Sequence, residues 1–338
     1  MTSYKAEFGS GATNFYFNGG IEQLRELAPP ERSIILTDEN VMERHDGLLH
    51  HWEAIVIPPG EASKNLQTLD DVVRQLLALK ADRRYTLVGV GGGVVTDMAG
   101  FVAGIYQRGI RCGFVPTSIL AMVDAAIGGK NGLDVGEFKN MIGLVRQPDF
   151  LLYDYALLRT LPVLEWRNGF AEIIKHACIG DAEMFASLAQ HELADYRQNI
   201  TLLDELIQRN AQQKIAVVLQ DETETGLRRT LNYGHTLAHA IENVMGYPHG
   251  FAVSIGMVFA AKMSEAITGF PGLEQIKNLL EKYGLPTDGN YDKKEALQLM
   301  MSDKKRQGNI INYVLLEQIG KAVIEPLEAA QIQTFLST

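Results

Sequence analysis

The chain has 338 residues, 46% of them hydrophobic and 21% charged, and 31 Lys and Arg against 41 Asp and Glu leave a formal charge of -10. That composition excludes intrinsic disorder, a collagen-like repeat and a disulfide scaffold, and the length suits about two domains with buried cores. The acidic balance argues against nucleic acid or an anionic membrane as the main partner, and taken as a bulk number it also argues against a highly anionic substrate.

Residues 1–10 carry neither a basic nor an apolar leader pattern, and the two cysteines are Cys112 and Cys178. The expectation is a reducing, cytoplasmic setting without structural disulfides. From residue 14 to 154 short β-branched or aromatic runs alternate with helical patterns. The predicted strands are 14–17, 33–37, 54–57, 86–90, 112–115 and 150–153. Over 66–79, Leu69, Val72, Val73, Leu76 and Leu77 fall at helical spacing. The apolar stretch 85–106 is long enough for a membrane span, but Asp97 and the glycines at 91–93 divide it. It reads instead as a strand, a tight turn and a helix with Met98, Phe101, Val102 and Ile105 on one face. Such alternation specifies an α/β domain with a mostly parallel sheet covered by helices on both faces, here 1–154. Beyond residue 154 the strand signal nearly vanishes. Residues 163–335 read as consecutive helices with short extended pieces at 311–315 and 322–324, which makes 155–338 a helical second domain.

The strand ending at Val90 runs into Gly91-Gly92-Gly93-Val94-Val95-Thr96-Asp97. A strand, a glycine turn and a helix N-terminus aim backbone N–H groups and the helix dipole at one spot, which suits an anion such as a pyrophosphate. This is not the G-x-G-x-x-G fingerprint, and a plain tight turn explains a glycine triplet equally well. Two further polar clusters, Thr37-Asp38-Glu39-Asn40 and Gly60-Glu61-Ala62-Ser63-Lys64, also follow predicted strands. Open α/β sheets bind ligands at the carboxyl ends of their strands, so three such clusters outweigh one.

In the second half His235 and His239 lie four residues apart, one above the other on a helix face. Thr236 stands where a zinc protease carries its general-base glutamate, which disfavours a protease. His249 opens the apolar run 251–261, and a histidine at a helix N-terminus is biased towards the neutral, metal-binding form. A lone histidine is more often a core or cap residue, but three of the eight histidines fall within 235–249, which points to a site. Lys214 lies on the apolar stripe of its helix with Leu203, Ile207, Asn210, Val217 and Val218, so it must meet a carboxylate or an anionic ligand. Glu172 and Lys175 share a helix face at i, i+3, which fits a surface ion pair or a metal ligand beside a substrate cation.

An ordered series of motifs resembles the 3-dehydroquinate synthase family, within the sugar phosphate cyclases. It comprises the glycine turn at 91–97, Pro116-Thr117-Ser118, Met122-Val123-Asp124, Gly128-Gly129-Lys130, Lys139-Asn140-Met141-Ile142-Gly143, Gly169-Phe170-Ala171-Glu172-Ile173-Ile174-Lys175 and Gly234-His235-Thr236-Leu237-Ala238-His239-Ala240. The resemblance runs from about residue 37 to 316. It implies a homodimer, an N-terminal Rossmann-like NAD-binding domain, an all-helical domain binding metal and substrate, and an active site in the cleft between them. It also implies NAD, a divalent metal (zinc, with cobalt as an alternative) and conversion of 3-deoxy-D-arabino-heptulosonate 7-phosphate to 3-dehydroquinate and phosphate in the shikimate pathway.

Carried over by motif, the metal ligands are Glu172, His235 and His249, and His239 contacts the substrate phosphate. Lys214 and Arg228 hold the substrate carboxylate, and Asp124, Lys130, Asn140, Lys175 and Asn232 line the pocket. Lys305 or its neighbour Lys304, and Arg108 from its own or the partner subunit, contact phosphate. NAD falls to Asp38, Asn40, Glu61, Lys64, Gly92, Gly93, Asp97, Thr117, Ser118, Lys130, Lys139 and Thr160. Thr96, Asn131 and Ala238 depart from the family pattern by adding bulk. The implied chemistry is a transient oxidation by NAD, elimination of phosphate, return of the hydride, ring opening and aldol closure. Competing readings are a cyclase whose substrate lacks the carboxylate, a metal- and NAD-dependent polyol dehydrogenase, and a non-catalytic NAD-binding protein. The first has no need of a carboxylate clamp, the second none of the lysine cluster, and the third none of a metal triad.

Overall fold

The computed structural model describes residues 1–136, 138–302, 306–307 and 310–337. It divides into two compact units, one formed by Met1–Trp166 and Leu203–Thr223, the other by Arg167–Leu202 and Glu224–Thr338. The helical segment Leu203–Thr223 of the second half thus groups with the first unit.

The strands of the first unit are β1 (Thr2–Phe8), β2 (Gly11–Phe17), β3 (Ser33–Asp38), β4 (Glu53–Ile57), β5 (Thr86–Gly91), β6 (Arg111–Pro116), β7 (Lys130–Val135), β8 (Phe138–Val145) and β9 (Phe150–Leu152). Its helices are α1 (Leu24–Leu27), α2 (Glu39–Leu49), α3 (Leu66–Ala78) and α4 (Gly93–Ile105). Among the described residues, one sheet has the order β1-β2-β9-β6-β5-β3-β4. All its pairings are parallel except β1 with β2. The strands β3 and β5 are buried along nearly their whole length, as expected where helices cover both faces of a parallel sheet. In chain order β3, β4, β5, β6 and β9 lie 2-1-3-4-5 across the sheet, so the winding reverses between β3 and β5. The crevice at such a reversal is where doubly wound sheets bind ligands. Asp38 ends β3 and the glycine turn follows β5, which puts two of the predicted polar clusters at that crevice.

All six predicted strands are present. The added strands are β1, an edge strand exposed at five of seven positions, and the separate two-stranded hairpin β7–β8. An edge strand needs no continuous apolar run, because only part of one face is covered.

The remaining helices are α5 (Val163–Gly180), α6 (Ala182–Gln190), α7 (Leu193–Gln198), α8 (Ile200–Gln220), α9 (His235–Met245), α10 (His249–Ile267), α11 (Leu273–Lys282), α12 (Lys293–Ser302) and α13 (Ala329–Ser337). The second unit is mainly helical rather than wholly so. Strands β10 (Arg306–Gln307), β11 (Ile310–Gln318) and β12 (Lys321–Glu328) form an antiparallel sheet where the two short extended pieces were expected. Helix α10 is apolar and long enough to cross a membrane, but from Ala252 to Ala261 it is buried inside this unit.

Two close approaches bring the helices of the second unit together. A Cβ on Gly256 of α10 would lie 1.9 Å from the Gly234 carbonyl oxygen just before α9, and one on Gly250 would lie 2.4 Å from the Asn168 carbonyl oxygen of α5. Gly234 itself has φ +79, a left-handed turn that starts α9 at His235. Glycine at these points lets α5, α9 and α10 approach at the ends that carry Glu172, His235 and His249.

Candidate active site and metal centre

In the second unit, Glu172 on α5 is fully buried, and its Oε1 lies 3.1 Å from His249 Nε2 and 3.4 Å from His235 Nε2. Ligand atoms of the three residues fall within 4.8 Å of one another. The other carboxylate oxygen pairs with the Lys175 ammonium, itself 1% exposed. The sequence left this pair between a surface ion pair and a metal ligand beside a substrate cation; its burial excludes the surface pair. The whole circumference of α5 here is covered, and not just its Phe170, Ile173, Ile174 and Ala177 face.

Both imidazoles are turned the same way. His235 Nδ1 lies 3.2 Å from the Tyr233 carbonyl oxygen, and His249 Nδ1 lies 3.3 Å from Glu242 Oε2. An Nδ1–H donated to oxygen leaves Nε2 as the ligating atom, and both Nε2 atoms face the same Glu172 oxygen. Two imidazole nitrogens and one carboxylate oxygen at this spacing match the donor set of a catalytic zinc or cobalt site with positions left for substrate. His239, one turn along α9, has its ring centroid 5.4 Å from that of His235 and lies outside this ligand group.

Burial disfavours charge on Glu172, but Lys175 and the two histidines outweigh it and hold the carboxyl well below the ordinary range. Burial and then Lys175 push the His235 pKa down. Burial likewise opposes a cation at His249, yet its hydrogen bonds to Glu172 and Glu242 carry its pKa up to about 10. The bias of the helix N-terminus towards a neutral ring is overridden here by two carboxylates. At neutral pH a metal must therefore displace a proton from His249. Metal affinity should rise about tenfold per pH unit until it levels off near pH 10. Titration with cobalt at several pH values tests this, and a flat affinity between pH 7 and 9 would contradict it. The sign for the metal-free fold is opposite: His249 stabilises it fully below the unfolded-state value of 6.5, and the contribution is lost as pH rises through about 10.

Elsewhere in this unit Arg228 is 3% exposed and Asn232 donates from Nδ2 to Glu224 Oε1 at 2.5 Å. Lys304 and Lys305, assigned to phosphate from the sequence, lie outside the described residues.

The first unit gathers a second group of predicted residues. Lys64, 5% exposed, lies 2.5 Å from Asp97 Oδ2, donates to Asn140 Oδ1 at 2.7 Å and is 3.9 Å from Glu61 Oε1. Asn140, with φ +51, is held in place by its N–H donating to Asp134 Oδ1 at 2.6 Å. Burial works against the Lys64 cation, but Asp97 and Glu61 outweigh it and raise its pKa. For Asp97 burial dominates over Lys64 and raises the carboxyl. Asp97 lies on α4, whose N-cap Gly92 supplies no side chain to its first N–H groups. Gly92 and Gly93 thus form an uncapped, dipole-positive helix start beside a buried lysine, a fit for the pyrophosphate of a dinucleotide. Thr96 turns its hydroxyl back to the Gly93 carbonyl at 3.0 Å, and Asn131 donates to the Gly129 and Arg146 carbonyls at 2.8 and 3.0 Å. The added bulk at these two positions is absorbed by local hydrogen bonds.

Lys214 on α8 finds the carboxylate its apolar stripe demanded. Its Nζ donates to Asp124 Oδ1 and to the Asp124 carbonyl, each at 2.6 Å. Asp124 sits in a π-helical turn, Ala121–Ala125, a conformation frequent at functional sites. Among the other predicted residues, Asp38 caps α2 by accepting from the Val41 N–H at 3.0 Å, and Asn40 is exposed on α2. Thr117 is buried after β6, and Ser118 Oγ accepts from the Ala121 N–H at 3.2 Å. Lys130 is exposed on β7 and Lys139 half-buried on β8. Thr160 hydrogen-bonds His45 Nε2 at 2.8 Å, and Arg108 is exposed in a turn with φ +70.

Sequence reasoning missed Glu242 and the Tyr233 carbonyl, the two acceptors that orient the histidines. A signal for the first existed: Glu242 lies seven residues after His235 and three after His239, on one helix face.

Known proteins match the chain along most of its length. The family profiles for the 3-dehydroquinate synthase N-terminal and C-terminal regions match residues 54–168 and 169–306. A 3-dehydroquinate synthase of Rippkaea orientalis (strain PCC 8801 / RF-1) is 41% identical over 286 residues, 82% of this chain and 78% of that protein. One from Leptospira interrogans serogroup Icterohaemorrhagiae serovar copenhageni (strain Fiocruz L1-130) is 40% identical over 331 residues, 93% of this chain and 91% of its own. Among solved structures, 2-epi-5-epi-valiolone synthase from Streptomyces hygroscopicus subsp. jinggangensis 5008, with NAD+ and Zn2+ bound, superposes with a TM-score of 0.88. That match covers 100% of this chain and 98% of the other at 24% identity, and so speaks for the fold. With both profiles matched in sequence order and relatives at about 40% identity along most of its length, the chain belongs to the 3-dehydroquinate synthase family.

Proposed function

We propose that this chain converts 3-deoxy-D-arabino-heptulosonate 7-phosphate to 3-dehydroquinate and inorganic phosphate in the shikimate pathway, using NAD and a divalent metal, zinc for preference. The observation that carries the reading is the convergence of Glu172, His235 and His249, each imidazole oriented through its own Nδ1, against the buried Lys175. Once bound, NAD would supply an acceptor and donor for one hydride and the metal a Lewis acid for the hydroxyl being oxidised, which would keep the reaction redox-neutral overall.

The chain's own groups divide the remaining work. Glu172, His235 and His249 hold the metal, and Lys175 fixes the Glu172 carboxylate and places a cation beside the substrate hydroxyls. Lys214 and Arg228 bind the substrate carboxylate. Asp124, which holds Lys214, and Lys130, Asn140 and Asn232 are assigned to substrate binding. His239, Arg108 and Lys305 bind the phosphate and accept the charge that develops as it leaves. NAD would be held by Asp38, Asn40, Glu61, Lys64, Gly92, Gly93, Asp97, Thr117, Ser118, Lys130, Lys139 and Thr160, the α4 N-terminus serving its pyrophosphate. The nucleotide-binding domain is taken as 1–154 and the metal- and substrate-binding domain as 155–338. We assign a homodimer in the cytoplasm. Supporting the dimer, the β7–β8 hairpin exposes Phe138 (68%), Met141 (43%) and Val145 (43%), an apolar surface costly to leave in water. Supporting a reducing compartment, Cys112 and Cys178 are free and buried.

The reading is tested by substrate choice. The purified protein with NAD and zinc should release inorganic phosphate from the heptulosonate phosphate and not from a sugar phosphate lacking the carboxylate. Equal release from both would instead favour a different sugar phosphate cyclase.

A further inference from the structure

We propose that Glu242 is a positioning residue of the metal centre, which fixes the His249 ring so that its Nε2 points at the metal position; this rests on the metal-site reading above. Helix α9 supplies both His235 as a ligand and, two turns later, Glu242 as the partner of a ligand on the neighbouring α10. The Glu242 carboxylate is 12% exposed, and its Oε2 lies 3.3 Å from His249 Nδ1. On the far side of the same ring, Nε2 lies 3.1 Å from Glu172 Oε1. A ring bonded at Nδ1 can turn about neither χ angle without breaking that bond, so the tautomer and the direction of Nε2 are set together.

The two histidines differ in a way that explains why His249 needs a carboxylate. The His235 side chain is 10% exposed, and its Nδ1 takes the backbone carbonyl of Tyr233, two residues away. The His249 side chain, like His235 at the first residue of its helix, is 27% exposed, and its Nδ1 turns to the Glu242 carboxylate instead of a backbone carbonyl. Its ring nitrogens lie against Glu242 and Glu172. Glu242 therefore does for the more exposed ligand what the Tyr233 carbonyl does for the buried one.

The test is the rate at which the cobalt-loaded full-length protein loses its metal to excess chelator at fixed pH. Glu242→Ala should release cobalt about 10- to 100-fold faster than the unaltered protein. Glu242→Gln, which keeps an oxygen for the Nδ1–H, should fall between the two and retain the unaltered visible cobalt spectrum. Release from Glu242→Ala at the unaltered rate overturns the proposal. Should that variant not fold, the ring nitrogens of His249 in the zinc-loaded unaltered protein decide by nitrogen NMR. Nδ1–H with zinc on Nε2 is expected, and zinc on Nδ1 overturns it. Glu172→Gln serves as the control. If it holds metal normally, the metal-site reading itself has failed; if it loses metal while Glu242→Ala does not, only the present proposal has.

Discussion

Glu172→Gln is expected to lose bound metal and to lower turnover by roughly 10³-fold or more, while the chain remains folded. The amide keeps the size of the carboxylate but not the charge that faces Lys175 and both histidine Nε2 atoms. Without that charge the site offers a metal two imidazoles and a weak amide oxygen beside a lysine cation, an unfavourable set for a divalent ion. The fold carries a cost as well, because breaking a buried ion pair leaves Lys175 uncompensated, at about 3–5 kcal/mol. The carboxyl is held well below its ordinary range, so it stabilises the fold above about pH 4.5, and that contribution is lost as pH falls through the depressed value. The variant should thus melt earlier than the unaltered protein at pH 7, and the difference should shrink in acid. Metal content by elemental analysis, circular dichroism and turnover together check the account. Full activity with normal metal content would remove Glu172 from the ligand set.

Lys214→Ala is expected to lower kcat/KM for the heptulosonate phosphate by about 100-fold, chiefly through KM, since a hydrogen-bonded ion pair to a carboxylate contributes about 1.5–3 kcal/mol. The lysine is 6% exposed and already oriented by two contacts with Asp124, so its ammonium is presented without further ordering. Removing it also strips the Asp124 carboxylate of its cation, which should lower the melting temperature by several degrees. A structural effect alone would weaken all substrates alike. The carboxylate role predicts a much smaller loss with an analogue that lacks the carboxylate, and an unchanged KM for the natural substrate would contradict it.

How much of this was legible beforehand depended on which physical signal each element left. Strands β3 and β5 announce themselves because burial on both faces demands unbroken apolar runs such as Ile34-Ile35-Leu36 and Leu87-Val88. Strand β8 does not, since none of its eight residues from Phe138 to Val145 is buried, six being exposed, and Lys139 and Asn140 interrupt it. Lys214 was legible because a lysine on an apolar stripe has to be paired, although the sequence could not say that the pair is Asp124, 90 residues earlier. Spacing could not choose for Glu172 and Lys175 between a surface ion pair and a metal ligand beside a substrate cation, because helical periodicity cannot report a helix covered on all sides. The His249 ring looked neutral from its place at a helix start, and only the two carboxylates that fold against it reverse that. The bulk charge of -10 pointed away from an anionic substrate. The fold buries Lys64, Lys175, Lys214 and Arg228 in specific polar settings, and those local fields, not the sum over the surface, bear on a small sugar phosphate.

The central claim is a reaction that oxidises and re-reduces its substrate within one turnover, and the most direct measurement follows phosphate and NADH together. With zinc, a trace of NAD and excess 3-deoxy-D-arabino-heptulosonate 7-phosphate, inorganic phosphate should be released over many turnovers per NAD while absorbance from NADH stays flat. NADH accumulating in proportion to substrate consumed, or phosphate release that stops after one equivalent of NAD, would contradict the account.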